Sequence, residues 1–270
     1  MFEKMTDKKE LKSLFWTILW IFFIRWAIVE PFKIPSGSMI PTLLVGDHIF
    51  VAKSSYDIRI PFTHKSVIKV ADPKRGDVVV FDYPNVENNE TRADYFYIKR
   101  IIGVPGDQIT VKGGIPVFDN KTLKQELIEA KVAEEKIPSF TMSPNDQVFL
   151  ETLPDQSTPH WVQRYPYRLA NIENQKKELQ YETGRDCVEI GRVIFGQVPY
   201  YTNLNEICTF TVPDGKFFVM GDNRDDSEDG RAWGFVDRKL LKGKALMIWF
   251  SWKGFTVPFL RWTRIGHGLK

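Results

Sequence analysis

Tyr95-Phe96-Tyr97-Ile98-Lys99-Arg100-Ile101-Ile102 is a run of aromatic and β-branched residues interrupted by two adjacent cations. Residues of these types favour a strand, and a strand places Tyr95, Tyr97, Lys99 and Ile101 on one face. A lysine held among aromatics loses its water. Desolvation disfavours the charged ammonium and lowers the pKa from ~10.4 toward a range in which the amine can accept a proton. The plainer reading is an edge-strand charge that deters aggregation. The surrounding sequence has to decide between them.

Outward from this run, similar short segments recur at Asp47 to Ser54, Asp77 to Tyr83, Gln108 to Lys112, Gln147 to Glu151, Lys216 to Met220 and Gly243 to Trp252. Glycine, proline and aspartate separate them, and no strand–helix alternation joins them. The expected fold is mostly β, built on an antiparallel sheet. Residues 115–215 are more polar, with a short helix expected over Thr122 to Glu135 and a charged stretch at Glu173 to Glu182. We read 32–114 and 216–270 as one domain and 115–215 as a smaller β-rich subdomain inserted into it.

The 270 residues, 43% hydrophobic and 26% charged, are those of a globular chain. A net charge of +3 with no basic stripe argues against a nucleic-acid partner. The four histidines are scattered and the cysteines, Cys187 and Cys208, lie 21 positions apart, so neither metal nor cofactor is expected. If this part of the chain is exported, those cysteines can form a structural disulfide, contributing roughly 3 kcal/mol by loop closure. Two reduced thiols are the alternative.

Residues 14–29 are apolar apart from Thr17 and Arg25, and Lys4, Lys8, Lys9 and Lys12 precede them. Sixteen helical residues span about 24 Å, a little under the ~30 Å hydrocarbon core, so a signal-anchor over 14–31 is expected to end in the interfaces. The lysines keep residues 1–13 cytoplasmic and send the rest of the chain across. Trp26-Ala27-Ile28-Val29-Glu30 offers no small-x-small cleavage site, which argues for an uncleaved anchor.

Just after it comes Ile34-Pro35-Ser36-Gly37-Ser38-Met39-Ile40-Pro41-Thr42-Leu43. Gly37 permits a tight turn and the flanking prolines discourage regular structure, so a hydroxyl is presented. A serine needs a base, and the sequence supplies no histidine in a triad context. Taken alone, either serine could cap a helix. The acidic stretch Asp222 to Arg231 could likewise be a solvated turn, and it lacks the spacing of a calcium loop.

Together, Ser36-Gly37-Ser38-Met39-x-Pro41-Thr42, Tyr97-Ile98-Lys99-Arg100 followed by Gly103-x-Pro105-Gly106-Asp107, and Gly221-Asp222-Asn223-Arg224-Asp225-x-Ser227-x-Asp229-x-Arg231 resemble bacterial type I signal peptidase. The closing Leu260-Arg261-Trp262-Thr263-Arg264-Ile265-Gly266 is also similar to proteobacterial members. The resemblance implies a membrane-bound serine endopeptidase that removes signal peptides from preproteins after an Ala-x-Ala-like site. In it Ser38 is the nucleophile, Lys99 the general base, Ser227 the lysine's hydrogen-bonding orienter, and Ser36 with the Ser38 N–H the oxyanion donors. It further implies structural pairing of Asp229 with Arg100, and support of the acidic loop by Asp222 and Arg231. Phe32, Ile34, Pro35, Met39, Leu43, Ile49, Tyr97 and Ile98 match positions lining two shallow apolar pockets. Asp226 and Gly230 depart from the commoner asparagine and serine.

The implied setting is the bacterial inner membrane, with the catalytic domain on its outer side, phospholipid beneath it, signal peptides as partners and no obligate protein partner. Trp249, Phe250, Trp252, Phe255, Phe259 and Trp262 either face lipid or pack as core. The alternatives are a self-cleaving repressor-type enzyme, a processing peptidase dedicated to one conjugation or secretion substrate, and a catalytically silent membrane-anchored scaffold.

Overall fold

The computed structural model describes residues 8–27, 29–59, 66–84, 92–112, 115–118, 121–165, 208–254 and 259–269. Its elements run α1 (Lys8–Ala27), β1 (Val29–Lys33), β2 (Asp47–Ala52), β3 (Asp57–Arg59), β4 (Ser66–Lys69), β5 (Val78–Tyr83), β6 (Arg92–Gly103), β7 (Gln108–Lys112) and β8 (Ile115–Phe118). Then follow β9 (Lys121–Thr122), β10 (Lys124–Ile128), α2 (Ala130–Lys136), β11 (Gln147–Thr152), β12 (His160–Arg164), β13 (Cys208–Thr211) and β14 (Lys216–Met220). A short α3 (Gly230–Trp233), β15 (Phe235–Asp237) and β16 (Leu241–Ser251) complete the chain.

The main sheet has the order β1-β2-β16-β5-β6-β14-β15, and every pairing in it is antiparallel. Val78 to Asp82 of β5 are buried in succession, as a central strand covered on both faces requires. β16 alternates buried and half-buried over Leu241 to Ala245, the pattern of a strand with one wetter face. Two apolar layers result. Ile34, Met39, Leu43, Ile49, Val78, Val80, Ile98 and Ile248 form one, and Val79, Phe81, Ile101, Phe217, Val219, Trp233 and Leu241 the other.

Lys99 pairs across the sheet with Val79 of β5, while β14 pairs with Arg100 and Ile101 and ends at Met220. The lysine is paired on the β5 side and only 3% exposed, and that burial removes the edge-charge reading. The chain leaving β14 brings Asp229 and Glu228 near enough for their charges to act on the lysine. Residues 115–164 contribute the sheet β10-β11-β12 and two strands of β13-β7-β8-β9, which draws on both sides of position 115.

The helix expected over Thr122 to Glu135 is β10 followed by the shorter α2. Lys124 to Ile128 pairs with Thr152 to Val148 of β11, and that ladder outweighs the local helix preference of its lysine and glutamate. Glu173 to Glu182 and Cys187 lie outside the described residues, so the disulfide does too. At the other end, α1 covers the apolar run but also carries Lys8, Lys9, Glu10, Lys12 and Arg25, and it stops at Ala27. Residues 29–31 of the expected anchor belong to β1. Among the described residues no helix is long and apolar enough to cross a membrane.

Candidate active site

β1 delivers the chain to the Ser36-Gly37-Ser38 turn. Ile34 donates to Asp47 O at 2.8 Å, Ile40 N–H to Gly37 O at 3.1 Å and Leu43 N–H to Met39 O at 2.9 Å. Ser38 is 9% exposed and its Oγ lies 2.7 Å from Lys99 Nζ. Lys99 itself is 3% exposed, with Nζ 5.6 Å from the centroid of the Tyr97 ring. Burial lowers the Lys99 pKa, the charges of Asp229 and Glu228 pull it partly back, and it settles at about 8. The lysine and serine that the sequence singles out are thus in hydrogen-bond contact, in surroundings that make the amine titratable near neutrality.

Ser36 is more exposed, and its Oγ lies 3.5 Å from Ser38 Oγ. Ser227 is 7% exposed, but its hydroxyl makes no hydrogen bond to Lys99 or to any other described group. The Ser227–Lys99 bond that the resemblance implies is not formed in this arrangement.

The acidic loop is tied to the Ser36-Gly37-Ser38 turn. Asn223 N–H donates to Ser38 O at 3.0 Å and Asn223 Nδ2 to Gly37 O at 3.1 Å. Gly221 permits this approach, since a Cβ there would overlap the Ser38 carbonyl and the Ser227 side chain. Gly230 has a similar reason: a Cβ would sit 2.8 Å from both the Phe218 ring and Val219 O. This accounts for glycine where serine is commoner.

The ion pairs are exchanged relative to expectation. Arg100 binds Asp222 through Nε at 2.9 Å and Nη2 at 2.7 Å, and its Nη1 donates to Gly76 O at 2.8 Å. Asp229 pairs instead with Arg231, at 2.8 and 2.9 Å, and accepts from Gly221 N–H at 2.9 Å. Strand alternation explains the exchange: Arg100 projects from the face of β6 opposite Lys99, so it reaches the start of the loop while Asp229 stays near the lysine. Both carboxylates are fully buried. Burial alone would raise their pKa values, but the adjacent guanidinium and its hydrogen bonds hold each below the usual range.

The expected pocket residues divide. Ile34, Met39, Leu43, Ile49 and Ile98 belong to one buried cluster against which Phe32 packs, whereas Tyr97 packs with the other layer. Met39, Leu43 and Ile49 have no exposed surface, so they back the site; Phe32, Pro35 and Tyr97 reach solvent. A separate cleft of about 340 Å³ lies behind Arg100, bounded by Thr42, His160, Trp161 and Arg264. It contains neither Ser38 nor Lys99. Its guanidinium groups already pair with Asp222 and Asp47. Among the described residues no cluster suits a metal ion.

Sequence reasoning misses the buttress behind the loop. Gln163 of β12 bridges to Asn223 in parallel, accepting from Arg224 N–H and donating to Asp222 O. Arg224 forms a buried bidentate pair with Glu151 of β11, and Thr42 Oγ1 donates to Asp222. The signal available was Arg224 itself, an arginine inside the acidic motif that needed a partner.

The family model described as "Signal peptidase, peptidase S26" matches residues 8–252. A relative named Signal peptidase I from Buchnera aphidicola (subsp. Acyrthosiphon pisum) is 37% identical over 258 residues, covering 90% of this chain and 75% of its own. One of the same name from Pseudomonas aeruginosa is 34% identical over 251 residues, covering 89% and 72%. A solved signal peptidase I structure from Enterococcus faecalis, 20% identical, covers 65% of this chain and 98% of its own at a TM-score of 0.30, too low to bear on the fold.

Proposed function

Because the chain belongs to the signal peptidase family, peptidase S26, we propose that it is a serine endopeptidase that removes N-terminal signal peptides from exported preproteins, with Ser38 and Lys99 as its dyad. The 2.7 Å contact between Lys99 Nζ and Ser38 Oγ inside a buried site carries this reading.

With Lys99 as the free amine, Nζ takes the Ser38 hydroxyl proton as Oγ bonds to the scissile carbonyl carbon. The Ser38 N–H and Ser36 hydroxyl stabilise the oxyanion, each donor typically worth ~3 to 4 kcal/mol. Collapse of the tetrahedral species breaks the C–N bond, and the Lys99 ammonium returns its proton to the departing amine. A water molecule, deprotonated by the same lysine, then attacks the acyl carbon and releases Oγ. Ser227 orients the lysine after a rotation of its hydroxyl, and Arg100, Asp222, Asp229 and Arg231 hold the loop in place.

The side of β1 that pairs with no strand among the described residues, and the Tyr95–Ile98 stretch of β6, suit an extended peptide. Phe32, Ile34, Pro35, Tyr97 and Ile98 then border the cleft that accepts small residues such as alanine, with Met39, Leu43 and Ile49 limiting its depth. We place residues 14–31 as the anchor, with 1–13 cytoplasmic and the catalytic domain on the outer side of the inner membrane, resting on phospholipid. Residues 115–215 are its inserted subdomain. The deciding assay compares wild type, Ser38→Ala and Lys99→Ala on a preprotein with an Ala-x-Ala site, reading the new N-terminus by mass spectrometry. Cleavage by wild type alone is the expected result; cleavage by all three refutes the dyad.

A further inference from the structure

The Gly37–Ser38 peptide is trans, so its carbonyl and its N–H point in opposite directions along one rigid plane. Whatever holds Gly37 O therefore aims the Ser38 N–H. Gly37 O accepts from Ile40 N–H within its own turn and from Asn223 Nδ2, each at 3.1 Å. Asn223 also grips the following carbonyl, through its main-chain N–H to Ser38 O at 3.0 Å. One residue brackets the whole peptide that carries the oxyanion donor, and it is 1% exposed.

The Asn223 amide is itself held from the inserted region. Its Nδ2 donates a second time, to Tyr165 Oη at 3.2 Å. Tyr165 Oη also accepts from Gln163 Nε2 at 3.0 Å, and the Asp225 carboxylate accepts from Tyr165 N–H at 2.7 Å. The amide cannot turn over without placing its oxygen against Gly37 O, which can only accept.

We propose that Asn223 and Tyr165 are positioning residues that fix the Gly37–Ser38 peptide plane and so aim the Ser38 N–H at the developing oxyanion. The inference rests on the proposed role of Ser38. It gives the inserted region, through Tyr165, a part in catalysis without touching substrate. Tyr165 removes rotational freedom from the Asn223 amide, which removes it from the peptide plane in turn. Oxyanion donors act only on charge that develops in the transition state, so loosening one slows turnover and leaves ground-state binding alone.

The test uses the full-length enzyme with Tyr165→Phe, Asn223→Ala and Ser38→Ala. A lost neutral hydrogen bond at one remove predicts a kcat about threefold to tenfold lower for Tyr165→Phe, and loss of the direct donor about tenfold to a hundredfold for Asn223→Ala. KM and the midpoint of the pH profile stay at wild-type values. Affinity for a peptide boronate, which forms a tetrahedral adduct on Ser38, falls by the same factor as kcat, while affinity for the corresponding peptide amide does not. Unchanged kcat in both variants overturns the proposal. So does a loss shared equally by boronate and amide with a lowered Tm, which means general loosening. Cleavage retained by Ser38→Ala instead defeats the underlying assignment of the nucleophile, a result separable from both.

Discussion

Glu228 lies within the acidic loop, next to Asp229, and its charge helps keep Lys99 protonated. Glu228→Gln removes that charge at nearly constant shape, so the lysine should titrate lower. With a pKa of about 8, some 9% of Lys99 is free amine at pH 7 and about half at pH 8. Only the free amine can take the Ser38 proton. In wild type kcat/KM should rise with unit logarithmic slope up to about pH 8 and then level off, because kcat/KM follows the free enzyme. In Glu228→Gln the rising limb moves to lower pH while the plateau keeps its height. The gain at pH 7 is bounded at about elevenfold, the factor from 9% free amine to all of it. A continuous fluorogenic peptide assay between pH 5.5 and 10 reads both limbs. A midpoint indifferent to residue 228, or activity that increases as pH falls below 7, would refute the reasoning.

Lys99→Met should be inactive yet more stable at pH 7 by roughly 3 kcal/mol, since a pKa held about 2.5 units low costs ~1.4 kcal/mol per unit. The unfolded lysine binds its proton up to pH ~10.4 and the folded one only to about 8, so wild-type stability rises with pH between them; urea unfolding should show the variant's advantage full below pH 8 and shrinking above it. A double-mutant cycle on Arg100 and Asp222 should give strong coupling, each single change costing about 3 to 5 kcal/mol by stranding a buried charge, whereas Arg100 with Asp229 should be nearly additive. Gly221→Ala should abolish turnover by pushing the loop off Ser38 O, detectable as lost boronate binding. Gly230→Ser should lower Tm through its overlap with Phe218 and Val219, visible by calorimetry.

The strands legible in the sequence were those with strong apolar character. β2, β5, β6, β7, β11, β14 and β16 fall where alternation and β-branching placed them. β1 was hidden because Val29–Lys33 contains a proline and reads as the tail of an apolar run; its order comes from pairing with β2. β10 was hidden because its lysine, glutamine and glutamate favour a helix locally, and only the ladder to β11 overrides them. At the site, Ser38 and Lys99 were found through residue type and motif. The exchange of ion pairs was not: alternation puts Arg100 on the face opposite Lys99, but does not say which of two carboxylates more than 120 positions away that face meets. The Gln163, Tyr165 and Glu151 buttress was invisible for another reason: its contacts join residues 58 to 73 positions apart with no motif of their own.

The burial of Lys99 has a consequence for the enzyme's synthesis. Ser38 and Lys99 leave the ribosome long before Gly221 to Asp229, the loop whose Asn223 holds Ser38 O and whose Asp229 and Glu228 act on Lys99. In the unfolded chain the amine titrates as a lysine in water, and about 0.04% of it is free base at pH 7. Burial in the folded protein raises that to about 9%, a gain on the order of 200-fold. A nascent or misfolded chain, though it already holds both side chains, carries almost no free amine at residue 99, and the amine appears only with the fold that buries it.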